Sequence, residues 1–440
     1  MRVNTAFNRL LQIPGASVTD VVIGERDVEV TLRPHARLLR CPCGMLCSAV
    51  YDRRRRRWRH LDLARCRLWL VYEIRRLDCP DCGIRTEELP WARPGARHTR
   101  DFEDMVLWLA QRTDRTSVAT LLRCAWETVT AIINRGVAEL LDARRLDTLY
   151  RIGVDEICYR HPHRYLTIIG DHDTGTVVDI QPGRNYQSLA NFYARQSDSD
   201  LAQIEAVSMD VASAYTEATR THVPHAVICY DPFHIMRWAN RALDAVYSQA
   251  ITGRGRASMT PAQWRTGRWA LRTGENKLND DQRVLINQIA RTHRHIGRAW
   301  TLKEQLRDIY RLNHPPGVAR QHLRRWITAA KRSRINAFVA LAKRLQVYFD
   351  AVIAAIELGI SNALIEGINA KIRLINARGY GHHSAQTLTS MIYLCLGGLP
   401  PSYPQQPEEP HICSNRSRTP AWWMPWGQRR VRRTRRVVAG

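Results

Sequence analysis

Three acidic residues in this chain stand where acids are costly. Asp155 lies mid-run in the strand-like IGVDEICY, Asp210 ends the apolar run AVSMD, and Glu366 is the one acid in the helical stretch SNALIEGINAKIRLINARGYG. A carboxylate in a buried strand is unfavourable unless it is paired or bound to metal. Carboxylate oxygens suit hard divalent cations such as Mg2+ or Mn2+. Two such ions can activate an attacking hydroxyl and stabilise a leaving oxygen in phosphoryl transfer. Around Glu366, helical spacing turns Leu364, Ile365, Ile368, Ile372 and Ile375 toward a core and sets Asn362, Glu366, Asn369 and Arg373 on a polar stripe. The solvated face of an ordinary amphipathic helix would look the same, so the stripe takes its meaning from the two aspartates. Glu156 alternates to the face opposite Asp155. YDPFHI adds Asp231 and His234, three residues apart, after another apolar run. Asp231 rivals Asp210 as a metal ligand; His234 could orient a ligand or the scissile phosphate, or be structural.

A second chemistry is written in sulfur. Of 11 cysteines, Cys41, Cys43, Cys47, Cys66, Cys79 and Cys82 fall in the first hundred residues. Clustered cysteines in a chain without an export signal read as a metal site rather than disulfides. Four of Cys41, Cys43, Cys47, Cys79 and Cys82 would make a tetrahedral zinc site, with Cys66 in reserve. The competing reading is a degenerate knuckle with ordinary buried cysteines. Between the knuckles, Arg53, Arg54, Arg55, Arg56 and Arg57 are a run of cations suited to the phosphates of a polyanion, unless they are a solvated charge run. Asn369, Arg373 and Arg378, on or near the Glu366 helix, are likewise expected beside DNA phosphate.

The elements that must position these groups follow from composition and pattern. The chain has 440 residues, a net charge of +25 and a sequence pI of about 10.2, which suits a polyanionic partner. No apolar run is long enough to span a bilayer, and the N-terminal residues lack a secretory core. Residues 1–100 alternate as a small β-rich module. Residues 101–147 are helical, and TSVATLLRCAWETVTAIINRGVAELL reads as two short helices joined by a tight turn, a helix-turn-helix or any small helical bundle. Residues 148–236 open with three meandering strands and go on as alternating helix and strand, the element order of a ribonuclease-H-like domain. Residues 237–350 are a helical insertion whose tryptophans, Trp238, Trp264, Trp269, Trp300 and Trp326, are expected in its core rather than stacked on bases. Residues 351–400 bring in the Glu366 helix, and 401–440 form a basic, disordered tail.

Taken together, GVDE at 153–156, YLTIIGDHDTG at 165–175, SMDVASAY at 208–215, YDPFHI at 230–235, SNALIEGINAKIRLINARGYG at 361–381 and the cysteine knuckles resemble the DDE transposases of bacterial insertion sequences, in particular the IS-L-three type. The resemblance covers roughly residues 35–395. It implies a multidomain α+β chain: a zinc-ribbon-like module, a helix-turn-helix, and a ribonuclease-H-like catalytic domain with a helical insertion. The family triad falls on Asp155, Asp210 and Glu366, which favours Asp210 over Asp231 as ligand and leaves Asp231 and His234 in support. CPCG is one residue shorter than the C-P-x-C-G of relatives, which puts the zinc ligand set in doubt. The implied activity is cleavage at the ends of the element and strand transfer into target DNA, with Mg2+ or Mn2+ at the catalytic site and Zn2+ in the N-terminal module. The implied partners are double-stranded DNA, at transposon ends and target, and further copies of the chain in a homodimer or larger assembly. No membrane and no small-molecule substrate is expected, and the setting is the bacterial cytoplasm, at the nucleoid. A catalytically inactive DNA-binding regulator and a ribonuclease-H-like nuclease or resolvase are the rival readings.

Overall fold

The computed structural model describes residues 2–399 apart from 36–38, 48, 142, 161, 212, 253–258, 312–314, 316 and 383. The expected tail at 401–440 therefore lies outside the described residues.

The chain opens with α1 (Val3–Leu11), then β1 (Ala16–Ile23), β2 (Asp27–Pro34), β3 (Leu39–Arg40), β4 (Leu46–Cys47), β5 (Val50–Arg59), β6 (Arg67–Cys79) and β7 (Gly83–Thr86). The main sheet runs β1-β2-β6-β5 with β7 on β6, and β3 and β4 form a separate pair. Alternation buries Leu68, Leu70, Tyr72 and Ile74 of β6 on one face, where Trp58, Trp91 and Phe7 complete the core. The arginine run is a strand, so it divides between two faces. Arg53, Arg55 and Arg57 stand opposite Arg75, Glu73 and Val71, while Arg54 and Arg56 stand opposite Ile74 and Tyr72. Arg56 lies over the Trp58 ring and donates to Ala96 O at 3.4 Å. Five side-by-side phosphate contacts, as the run suggests, are thus not available from one surface.

Three helices follow, α2 (Arg100–Ala110), α3 (Arg115–Leu121) and α4 (Trp126–Leu140). Thr99 and Asp114 cap the first two, accepting from the amides of Phe102 and Ser117. Val118, Ala119, Val129, Ile132, Ile133 and Val137 are buried between them. Arg93, 5% exposed, donates to Glu103 at 3.2 Å and Asp104 at 2.7 Å and also reaches Glu139, so the segment ahead of α2 braces α2 against α4.

The second sheet is built from β8 (Arg151–Arg160), β9 (Arg164–Asp171) and β10 (Val177–Pro182), then α5 (Tyr186–Tyr193), α6 (Asp198–Gln203), β11 (Ala206–Met209), α7 (Ser213–His222) and β12 (Val227–Tyr230). Its order is β10-β9-β8-β11-β12: the first three strands are antiparallel, and β8, β11 and β12 are parallel. Helices α8 (Pro232–Thr252), α9 (Pro261–Arg272), α10 (Asp280–Thr292), α11 (Arg294–Arg311), α12 (Val318–Arg332), α13 (Asn336–Val347) and α14 (Phe349–Glu357) pack around a core of their own. Trp264 and Trp326 are buried there, and Trp238 and Trp300 pack partly buried against it. Trp269, 66% exposed, stands outside it. Among the described residues, no helix is long and apolar enough to cross a membrane.

The chain then returns to the second sheet as α15 (Ala363–Arg378) and α16 (Ala385–Leu396). Gly153 and Gly170 are register partners on β8 and β9. A Cβ built on either would lie 2.4 or 2.6 Å from atoms of Ile365, so the paired glycines form a notch for that side chain. Ile365, Ile368, Ile372 and Ile375 all enter a core shared with α2–α4, the sheet and α16. Arg378, expected beside phosphate, instead caps α2: it donates to Gln111 O at 2.8 Å and Ala110 O at 3.0 Å.

The notch makes a prediction. Gly153→Ala should cost about 1–3 kcal/mol by overpacking, read from denaturant melts of the full chain. Gly367→Ala, on the outer side of the same helix with nothing within 4 Å, should be neutral or stabilising by up to about 1 kcal/mol. Equal effects at the two sites would refute the notch.

Candidate active site

Register places three carboxylates in a row. Val154, Met209 and Tyr230 are aligned across the parallel strands β8, β11 and β12. Asp155, Asp210 and Asp231 each come one residue later. Asp155 is partly buried and accepts from the Asn369 Nδ2 at 2.7 Å and from the Glu156 amide at 2.8 Å. Burial, then the charge of Asp210, pushes its pKa up to about 7. Asp210 is more open and accepts from His234 Nδ1 at 2.6 Å. Asp231 is 2% exposed; one oxygen takes the Asn362 amide at 3.2 Å, and the other takes the His234 amide at 3.2 Å and its Nδ1 at 3.1 Å. Burial works against the His234 cation, but its bonds to Asp210 and Asp231 outweigh it and raise the pKa to about 9. Glu156, on the opposite face, is raised by burial and then by Asp210.

The helix α15 is locked above this row by its first residues. Asn362, 1% exposed, accepts from the Ser208 hydroxyl at 2.7 Å and donates to Val154 O at 3.3 Å. His172 Nε2 lies 2.7 Å from the same hydroxyl. Glu366 follows one turn later, half-buried, its pKa raised by burial and then by the Asp231 and Asp210 carboxylates. Asn369 comes next on the stripe. It was expected on phosphate, but it is 1% exposed and turned onto Asp155, so a phosphate contact is closed to it here. Arg373 is exposed. The stripe thus points inward at its N-terminal end, because the sheet supplies polar groups there. Ser208 and His172 carried no signal in the sequence; Asn362 did, as the first member of the stripe.

Asp210, Asp231 and His234 place their ligand atoms within 4.8 Å of one another, and Asp155 and Glu366 stand outside that cluster. The carboxylate oxygens fit Mg2+ or Mn2+, whereas His234 Nδ1 is taken up by its hydrogen bonds to Asp210 and Asp231. Among the described residues the buried Asn369 Oδ1 has no hydrogen-bond partner, and it offers a further oxygen next to Asp155.

In the N-terminal module, Cys41, Cys43, Cys79 and Cys82 bring their sulfurs within 4.8 Å of one another. The Cys43 and Cys79 sulfurs are 3.7 Å apart, close to the edge of about 3.8 Å for a tetrahedron with Zn–S of about 2.3 Å. The amides of Cys82 and Asp81 help hold the Cys79 thiol down at about 7, as a thiolate ligand requires. The four fit zinc. Cys47 is buried with its sulfur 3.9 Å from Met45 O, outside the group of four, and Cys66 lies 4.0 Å from Glu25 O.

Residues 152–392 match the family model of ISL3 transposases carrying the DDE domain, and residues 87–137 match the helix-turn-helix domain of transposase family ISL3. The chain is 35% identical to the transposase for insertion sequence element IS1557 of Mycobacterium tuberculosis, over 94% of this chain and 100% of that protein. It is 26% identical to the transposase for insertion sequence element IS1001 of Bordetella parapertussis, over 82% of this chain and 89% of the other.

Two outcomes are expected. The folded pKa values of Asp155 and His234, about 7 and about 9, exceed their ordinary 3.8 and 6.5. Between each pair of values the native chain binds more protons than the unfolded one, so the ion-free protein loses stability as pH rises through both windows. A divalent ion held by Asp155 would need that carboxylate ionised, so the stabilising effect of Mn2+ should weaken below about pH 7, by roughly tenfold in affinity per unit. Asp155→Asn should stabilise the ion-free chain by roughly 1–3 kcal/mol above that pH and flatten the Mn2+ response; calorimetry across pH checks both. At the sulfur site, Cys82→Ser should lose bound zinc by elemental analysis and Cys47→Ser should retain it.

Proposed function

The chain belongs to the ISL3 family of transposases, and we propose on that footing that it cuts and joins DNA strands at the ends of its own insertion sequence. The carrying observation is the level row of Asp155 and Asp210 on neighbouring parallel strands, with the Glu366 helix locked over it. In this reading residues 148–236 and 351–400 form a ribonuclease-H-like catalytic domain, interrupted by the helical insertion at 237–350. Asp155, Asp210 and Glu366 hold the divalent ions. Those ions would supply Lewis acidity to the attacking and leaving oxygens.

The remaining roles belong to the chain's own groups. Asn369 fixes the orientation of Asp155 by its 2.7 Å bond. Asp210 is preferred to Asp231 as a ligand because both Asp231 oxygens already serve the backbone of α15 and α8. His234 bridges Asp210 and Asp231 and can give or take a proton beside them. Water attacks the phosphodiester at the element's end and releases a 3′-hydroxyl; that hydroxyl then attacks a target phosphodiester. Each step forms one P–O bond and breaks one, so no covalent protein–DNA intermediate is needed. Residues 1–100, as a zinc-ribbon-like module, and 101–147, as the helix-turn-helix, bind the terminal inverted repeats, with Arg53, Arg55 and Arg57 on one face available to phosphate. Two DNA ends call for a homodimer or larger assembly, acting at the bacterial nucleoid.

The test is excision in cells. A plasmid carrying the gene with both native flanks should give donor junctions with the unaltered chain, and at least about a hundredfold fewer with Asp155→Asn, Asp210→Asn or Glu366→Gln. Undiminished junctions in any of the three would remove that residue from the triad. Flank binding without junctions in the unaltered chain would favour the regulator reading.

A further inference from the structure

The loop after α15 carries a tyrosine that folding does not explain. Tyr380 is 95% exposed and has φ of 52°, a left-handed conformation that bulky side chains rarely adopt. An exposed ring adds nothing by burial, and Asn or Gly would suit the backbone better. The loop is nevertheless built firmly. The Tyr380 amide donates to Ala377 O at 3.0 Å and the Gly381 amide to Asn376 O at 2.8 Å. Asn376 Nδ2 in turn donates to Tyr159 O at 3.2 Å, and its Oδ1 is 3.1 Å from Nδ1 of the buried His382. A side chain at Gly379 would strike the His382 ring, at 2.8 Å from a built Cβ. The ring is therefore presented on a rigid support at the end of the helix that carries Glu366.

What it faces is the helix-turn-helix segment. Tyr380, Gly379 and Gly381 line a cavity of about 250 Å3 together with Arg115 and Trp126. Trp126, 38% exposed, is the first residue of α4, and the Arg115 guanidinium lies 4.3 Å from its ring centroid while donating to Thr130 at 3.0 Å. The acid on the rim, Asp114, is engaged in capping α3. Two exposed aromatic rings at one cavity form a surface on which a base can stack, and the buried Arg115 guanidinium holds the Trp126 ring from behind. The cavity opens between the segment matched as a DNA-binding domain and the helix of the carboxylate site.

We propose that Tyr380 and Trp126 form an aromatic clamp on DNA at this junction, with Tyr380 stacking on an unpaired base about 20 Å along α15 from Glu366 and Arg115 bracing the Trp126 ring. The proposal rests on the transposase reading above. It makes Tyr380 a positioning residue: it holds the strand between the helix-turn-helix and the carboxylates and takes no part in bond making.

The test compares Tyr380→Phe with Tyr380→Asn in the full chain. Anisotropy would follow a labelled duplex from the element's end, with its last bases unpaired, and a scrambled duplex of equal length. The Phe variant should bind within about twofold of the unaltered chain, and the Asn variant about tenfold more weakly, as loss of one stacked base implies. The melting temperature of the Asn variant should equal or exceed that of the unaltered chain, because Asn tolerates this φ. Asn binding as tightly as Phe overturns the clamp. So does an equal loss in both variants, which would assign the effect to the hydroxyl. So does a change in sedimentation with DNA affinity intact, which would make the ring a contact between copies. The clamp is read from the ratio of the two variants on whichever duplex is bound. Equal affinity of the unaltered chain for end and scrambled duplexes would count against the transposase reading alone.

Discussion

Much of this structure depends on one contact, the seating of Ile365 in the notch between Gly153 and Gly170. A Cβ at either position would force the Ile365 side chain out of its seat. The seat sets the height of the helix, and the Asn362 bonds to Ser208, Val154 and Asp231 then set its rotation and its start. Glu366 and Asn369, one and two turns on, have little freedom after that. Apolar packing supplies the energy, and a few buried hydrogen bonds supply the register. Glycine at both positions lets the helix side chain reach the strand backbone, as fixed placement of a site requires.

The same seat concentrates negative charge. Parallel register alone forces Asp155, Asp210 and Asp231 to one edge, and α15 adds Glu366. The protein tempers the repulsion in two ways. Asp231 is withdrawn into backbone bonds, and His234 shares its proton between Asp210 and Asp231. Asp155 keeps the heaviest burden, a pKa near 7 from burial and the neighbouring charge. That arrangement weakens the bare fold and favours cation binding, the usual relation between stability and function at such sites.

Helix α15 also ties this edge to the modules before it. Its buried face shares one core with α2–α4, and Arg378 caps α2 directly. The helix-turn-helix segment is thus held directly by the element that bears Glu366 rather than through a linker. The cysteine group sits in a separate small core, with Leu39 and Leu77 around it.

The sequence by itself determined most of the elements and singled out the candidate groups. Strand alternation located β8–β10 and placed Asp155 and Glu156 on opposite faces. Helical spacing found the buried isoleucines of α15, and the clustering of cysteines found the sulfur site. These signals are local, since they follow from the two periodicities of the backbone. What only the tertiary structure decided depends on distant partners. The gathering of the Cys41, Cys43, Cys79 and Cys82 sulfurs comes from the turn after β3 meeting the turn after β6. The division of the arginine run came from its pairing with β6. Asn369 and Arg378 read from the sequence as phosphate-facing, yet one turns onto Asp155 and the other onto α2, because a polar side chain follows whichever unsatisfied groups the packed surface presents. No spacing rule within a single segment carries that information.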